Sequence, residues 1–283
     1  MAPAWFAADG GYFAQQGLDV DLRYVATATT LTPALLAGEI QVALVGGGEV
    51  VQATLAGGDL VLVGSLVPVL VFSIYGDPAL ATLDDLGGKR LAVTRFGTAT
   101  EFAAREALRG VNLEPGRDVA LVQAGGVPEA LAALQAGGVE AAVLSPPTTL
   151  RARQAGLREL LDLAAAGVPY LQTAVATSQR QVADNPEALR RFLAALADGV
   201  ARAQSDRAFA TATIAAYTGN PGADVVDETY AAFVPRFPRL PYVPADAVQA
   251  ALNELASRDE RAHTADPSQF YTNRLVAELE GRP

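Results

Sequence analysis

The chain has 283 residues, of which 31 are acidic and 21 basic, for a net charge of −10; it contains one histidine and no cysteine. This balance argues against a nucleic-acid partner, because phosphate binding needs a basic surface. The missing cysteines exclude disulfides, thiolate nucleophiles and cysteine metal sites. Half of the residues are apolar, enough to build one large or two modest domains.

In chain order, the opening MAPAWFAADGG has neither a basic start nor an apolar stretch, so it is not a secretion signal. Either a signal has been removed or the start is truncated. A helix is expected over residues 3–16 and a strand over 20–25, followed by a small-residue loop at 26–30. A helix over 32–37 ends on Gly38, the residue type favoured after a helix C-terminus. A buried strand at 41–45, a glycine turn at 46–48 and another helix follow. Residues 60–75 are apolar but hold Gly64 and Pro68, and they fall short of the roughly 20 residues of a membrane span. They read as two buried strand pieces, and the chain is expected not to span a membrane. Beyond them come a strand at 90–94, a loop at 95–100, a helix at 101–109, a strand at 119–123, a helix at 128–136 and a strand at 140–144. After one more strand at 170–176 the pattern turns helical. Asn185-Pro186-Glu187 supplies a capping residue, a first-turn proline and an acidic first turn. Residues 235–244, PRFPRLPYVP, form a rigid extended loop between helices.

The chain repeats itself. Shifted by 99 residues, Gly17 falls on Gly116, Gly38 on Gly137 and Gly57 on Gly156, with matching apolar positions between them. Each copy follows a β-loop-α-β-loop-α grammar, the signature of parallel strands covered by helices. Two lobes are therefore expected. Lobe one comprises residues 1–77 and 178–283, and the inserted lobe two comprises 78–177. The strand at 90–94 has its counterpart before Met1, so the first strand of lobe one is expected to be missing.

The stretches APAWFAADGGYFAQQGLDVDL, LLAGEIQVALVGGGEVVQA, TLDDLGGKRLAVTRFGTATEFAAREAL, GRDVALVQAGGVPEALAALQAGGVEAAVLSPP and NPEALRRFLAAL resemble the solute-binding family that serves nitrate, sulfonate, taurine and thiamine-precursor importers. The resemblance implies an α/β, two-lobed type II periplasmic-binding-protein fold with a ligand between the lobes. It further implies an extracytoplasmic substrate-binding component of an ABC importer, not an enzyme. Such a protein would work with permease subunits, as a monomer, in the periplasm or outside the cytoplasm. It would need no cofactor or metal and would capture a small anionic or aromatic solute by hinge closure. The rival readings are a ligand-sensing module of a regulatory system and an enzyme like the thiamine-pyrimidine synthases. The enzyme needs reactive histidine and cysteine.

In open parallel sheets, ligands bind beyond the carboxyl ends of the strands. The first candidate there is the loop at 94–100. It opens a helix whose free amides favour an anion. Arg95 offers a bidentate contact, Gly97 close approach, and Thr98 and Thr100 hydroxyls; a plain helix cap with a solvated arginine is the alternative. Thr27, Thr29 and Thr30 either donate hydroxyls or cap the next helix. Gly46, Gly47 and Gly48 lack the third glycine and the ribose-binding acid of a dinucleotide site, and are expected to turn backbone amides toward a ligand. Gly125 lies in the loop at 124–126. Ser145 is a hydrogen-bonding candidate, since His263 is distant in sequence and no G-x-S-x-G elbow exists. Trp5 and Phe6 form either an aromatic wall or core, and Tyr170 faces either ligand or core.

Overall fold

The computed structural model describes residues 1–25, 28–256 and 258–280; for residues 28–30 it describes the backbone alone. The chain divides into an outer unit of Met1–Pro68 and Pro169–Pro283 and an inserted unit of Val69–Val168. The outer unit begins with α1 (Ala2–Asp9), α2 (Tyr12–Gln15), α3 (Ala28–Leu36), β1 (Ala43–Val45), α4 (Gly47–Leu55) and β2 (Leu60–Val69). The inserted unit holds β3 (Ser73–Gly76), β4 (Arg90–Val93), α5 (Ala99–Gly110), β5 (Ala120–Gln123) and α6 (Val127–Gln135). It continues with β6 (Ala141–Leu144), α7 (Thr148–Gln154) and β7 (Arg158–Asp162). The chain then returns to the outer unit as β8 (Pro169–Ser178), α8 (Gln179–Asp184), α9 (Pro186–Ser205) and α10 (Arg207–Tyr217). It ends with α11 (Ala223–Phe233), α12 (Ala245–Leu255) and α13 (Arg274–Ala277).

Strand pairing explains why the divisions fall at 68/69 and 168/169 rather than 77/78 and 177/178. The strand at 73–76 pairs with β6 and β7 of the inserted unit, and β8 pairs with β1 of the outer unit. The inserted sheet has the order β5-β4-β6-β3-β7. Within it β4 runs parallel to both β5 and β6, while β3 runs antiparallel to β6 and β7. The outer sheet has the order β1-β8-β2, with β1 and β8 antiparallel. The fold is α/β, and the inserted sheet is mixed because β3 returns against the parallel grain of β5, β4 and β6.

The internal repeat is visible in the backbone. The shift of 99 residues carries α3 onto α6, residue for residue. Its matched glycines all take left-handed conformations: Gly17 and Gly116 (φ 67 and 89), Gly38 and Gly137 (φ 77 and 70), and Gly57 and Gly156 (φ 91 and 76). Only glycine adopts such angles without steric cost, so the same turns are built twice from the same residue.

Three local expectations are corrected. The helix expected over 3–16 is broken at Gly10-Gly11, where Gly11 turns left-handed (φ 70) and starts α2. Residues 20–25 form no strand. They carry strand-type residues, but among the described residues no neighbouring strand accepts their backbone groups, and an extended segment without a ladder is not a strand. Asn185 precedes α9 but makes no side-chain cap; its amide donates to Gln181 Oε1 instead. Strand β7 is additional, an edge strand whose sequence RELLD hides its apolar content among charges.

The outer core has two parts. Ala4, Ala7 and Phe13 of the first helices meet Leu193, Ala194 and Leu196 of α9, and Phe13 stacks on Phe192 at 5.2 Å. On the other side of the sheet, Val50 and Val51 of α4 and Val248 and Leu252 of α12 cover β8. Gly199 lets α9 approach α1 closely, since a Cβ there would lie 2.7 Å from the Ala7 nitrogen. The tail closes one sheet edge: the Leu62 N–H donates to the Phe270 carbonyl and the Thr272 N–H to the Leu62 carbonyl, both at 2.9 Å.

In the inserted unit, Arg90 and Glu140 join the starts of β4 and β6. Arg90 Nη2 donates to Glu140 Oε1 at 2.6 Å, and the Arg90 backbone N–H donates to Oε2 at 2.9 Å. These bonds hold the Glu140 pKa down at about 2, below its ordinary 4.5. A depressed carboxylate adds stability above its unfolded pKa and loses it as pH falls through the folded one. Both side chains are part-exposed, so solvent screening keeps the pair's contribution small. Glu140→Gln should lower urea stability slightly at neutral pH, with the gap to the parent closing as pH falls from 4.5 to about 2. A gap that stays constant across that range contradicts this role.

Candidate functional site

In the inserted unit the parallel strands β5, β4 and β6 all end on one edge, and three loops gather there. The backbone ties two of them together. The Ala124 N–H donates to the Val93 carbonyl and the Gly125 N–H to the Thr94 carbonyl, both at 2.9 Å. Gln123 Oε1 accepts from the Phe96 N–H at 2.9 Å. Gly125 (φ 99) and Gly97 (φ 78) supply the left-handed turns this requires. Ser145 lies at the end of β6, the next strand, and its hydroxyl makes no hydrogen bond among the described residues.

The threonines of this site behave differently from the expectation. Thr94, Thr98 and Thr100 form a hydroxyl triangle with edges of 2.7, 3.0 and 3.1 Å. Thr98 also donates to the Arg95 carbonyl at 2.7 Å, and buried Thr100 accepts from the Thr94 N–H at 3.0 Å. The triangle has three hydroxyl protons; one goes to the Arg95 carbonyl, and two remain for three edges. The three hydroxyls are thus engaged with one another and with the Arg95 carbonyl, and in this arrangement they hold the shape of the loop.

Two carboxylates missed by the sequence reading also act here. Glu101 folds back so that its Oε2 accepts from the Gly97 N–H at 2.5 Å, and its Oε1 binds Arg105 at 2.6 Å. Glu129 lies over Gly126 in the same manner at the start of α6. Thr-x-x-Glu at 98–101 is the spacing of a capping box and is the signal in the sequence for the first of these. Thr98 makes no side-chain cap of its own. Ala99 and Thr100, in the first turn of α5, have no backbone acceptor among the described residues. Arg95 is exposed and pairs with no carboxylate among the described residues. Phe96 beside it is 51% exposed, unusual for so large an apolar ring.

In the outer unit the glycine turn has mixed roles. Gly47 is buried, and a Cβ there would collide with Leu171 of β8, so packing requires glycine at this position. Gly46 carries the Glu49 carboxylate over it, while Gly48 faces the Tyr170 hydroxyl, which a Cβ would approach to 4.0 Å. Glu49 is exposed as a residue, yet crowding around its carboxyl strips hydration and raises its pKa, opposed by its own backbone N–H. Tyr170 is 8% exposed, and burial, with the Glu254 and Glu49 charges, raises its pKa. Trp5 stands apart from this group, stacked on Tyr217 at 5.1 Å, and Phe6 is core, against Phe209 and Phe237. Thr27 and the side chains of Thr29 and Thr30 lie outside the described residues.

A model of the NMT1/THI5-like family matches residues 1–208. The chain belongs to the NMT1/THI5-like family. No curated protein matches this NMT1/THI5-like chain by sequence. Among solved structures it is similar to a putative periplasmic sulfonate-binding protein of a sulfonate ABC transporter from Methylobacillus flagellatus KT, with TM-score 0.81 and 18% identity over 99% of this chain and 90% of that one. It is similar to the periplasmic aliphatic sulphonate binding protein SsuA of Escherichia coli, with TM-score 0.79 and 21% identity over 95% of this chain and 87% of that one. The desulfurization enzyme DSZB also shares the fold, with TM-score 0.73 and 16% identity over 98% of this chain and 94% of that one. The fold of this NMT1/THI5-like chain is thus the type II periplasmic-binding-protein fold.

Thr100→Val should cost about 1–3 kcal/mol in urea unfolding, because it leaves the Thr94 N–H unpaired in a part-buried site. Unchanged stability would show that the hydroxyl triangle does not hold the loop.

Proposed function

We propose that this NMT1/THI5-like chain is the extracytoplasmic solute-binding component of an ABC importer, acting as a monomer beside permease subunits. Its solute is a small anion of the sulfonate class, taken up by loops of both units through hinge closure, without chemical change. The observation that carries this reading is Arg95, an exposed guanidinium without a carboxylate partner among the described residues. It belongs to the loop that leads into α5, whose first-turn amides at Ala99 and Thr100 have no backbone acceptor among the described residues. Guanidinium and helix-start amides together suit a planar or tetrahedral oxyanion. Exposed Phe96 next to them offers a surface for an apolar tail.

The relatives' names support the same chemistry, since two of the similar structures are sulfonate-binding proteins of periplasmic origin. Binding is favoured over catalysis by the sequence itself. It contains no cysteine, and its single histidine lies in the short turn Glu260–His263, outside both loop groups.

The test is a thermal-shift titration with ethanesulfonate and taurine, with acetate and uncharged ethylene glycol as comparisons. A sulfonate at a hundred times its dissociation constant should add about 2.7 kcal/mol and raise the melting point by a few degrees. Arg95→Ala should weaken binding about 10- to 100-fold without changing the melting point of the free protein. No shift with any sulfonate, or equal affinity in Arg95→Ala, contradicts the proposal.

A further inference from the structure

The loop that follows β6 carries donors that the sulfonate reading has not used. Ser145 comes directly after the strand, and Thr148 is the first residue of α7. Neither hydroxyl makes a hydrogen bond among the described residues, although Ser145 is half-buried and Thr148 only 7% exposed. Among the described residues, the side-chain atoms both sealed from solvent and unbonded are Ser65 Oγ and Gln172 Oε1. The Ser145 and Thr148 oxygens are therefore open, and the small part of Thr148 that solvent reaches includes its hydroxyl. This sets them apart from the hydroxyls of Thr94, Thr98 and Thr100, which bond to one another. A threonine held in place by burial, with its hydroxyl unspent, is a preorganised donor.

The sheet sets where these donors stand. Strand β4 runs parallel to β6, with Leu91 opposite Ala141 and Ala92 opposite Ala142. The same offset of 50 residues carries Arg95 to Ser145, just beyond the strand ends. The guanidinium loop and the hydroxyl loop thus rise from neighbouring strands, about 4.8 Å apart at their base. The internal repeat adds a second observation. Shifted by 99 residues, Thr148 falls on Glu49, in the first turn of α4. The outer copy presents a carboxylate where the inserted copy presents a neutral hydroxyl. A carboxylate at that place repels an anion, whereas a hydroxyl donates to one.

We propose that Ser145 and Thr148 hold the third oxygen of the solute's head group and so select a sulfonate over a carboxylate of equal charge. The inference rests on the sulfonate reading and assigns the head group to the inserted unit. A guanidinium is a planar fork that takes up two oxygens in its own plane. A carboxylate has no other oxygen. A sulfonate has a third, directed out of that plane, and it needs donors from a neighbouring loop once it leaves water. With a carboxylate in place, the Thr148 hydroxyl loses its water and gains no partner, so the same residue penalises the wrong solute.

The test is isothermal titration calorimetry of the intact chain with ethanesulfonate and propionate, which share their tail and, at neutral pH, their charge. The parent should bind the sulfonate at least about tenfold more tightly. Thr148→Val, which keeps the shape of the side chain, should weaken ethanesulfonate about tenfold and propionate less than about twofold. Ser145→Ala should act in the same direction, while Thr148→Ser should keep the parent's preference. A Thr148→Val variant that retains that preference, or that loses both anions equally, overturns the proposal. So does a parent that binds the two anions alike. In each of these cases the sulfonate reading survives if ethanesulfonate still binds through Arg95, whereas a parent that binds neither anion overturns both.

Discussion

The parallel register of β5, β4 and β6 is the constraint on which the candidate site depends. Because β4 pairs in the same direction with both neighbours, three consecutive strands deliver their carboxyl ends to one edge. The loops at 94–100, 124–126 and 145–148 have no other place to go. Their helices then start at that edge, with amide groups and positive dipole ends directed toward it. The place proposed here for an oxyanion is a consequence of topology before any particular side chain is chosen.

Side chains then tune that edge. Glu101 and Glu129 fold back onto the starts of α5 and α6 and offset part of the positive field that the helices create. Among the described residues, Arg95 on this edge has no carboxylate partner. The hydroxyl triangle of Thr94, Thr98 and Thr100 spends its protons internally and so fixes the loop that carries Arg95. Rigid placement matters because a preorganised donor loses less entropy when it meets a ligand. In the outer unit the corresponding turn is dominated by packing: Gly47 admits Leu171, and Tyr170 is buried beneath Gly48.

Much of this was legible in the sequence, because glycine and apolar periodicity carry strong physical signals. Gly17, Gly38 and Gly57 matched Gly116, Gly137 and Gly156 in sequence, and all six adopt the left-handed turns that only glycine takes cheaply. The proline and acidic first turn at the start of α9 and the loop at 94–100 were equally readable. Less accessible was anything decided by partners distant in the chain. Residues 20–25 have strand composition, yet no strand forms without a paired neighbour. The packing demand on Gly47 could not be read, because Leu171, which a Cβ there would meet, is 124 positions away. Thr98 and Thr100 looked like free donors, and only the geometry shows that they bond to one another. The domain divisions shifted for the same reason, since β3 and β8 take sides according to pairing.

The most direct test of the account is hydrogen–deuterium exchange of the intact chain with and without saturating ethanesulfonate. Capture by loops of both units predicts slowed exchange at residues 46–49 and at 94–100 together, with the same half-saturation. Protection confined to one of these segments, or to neither, would contradict it.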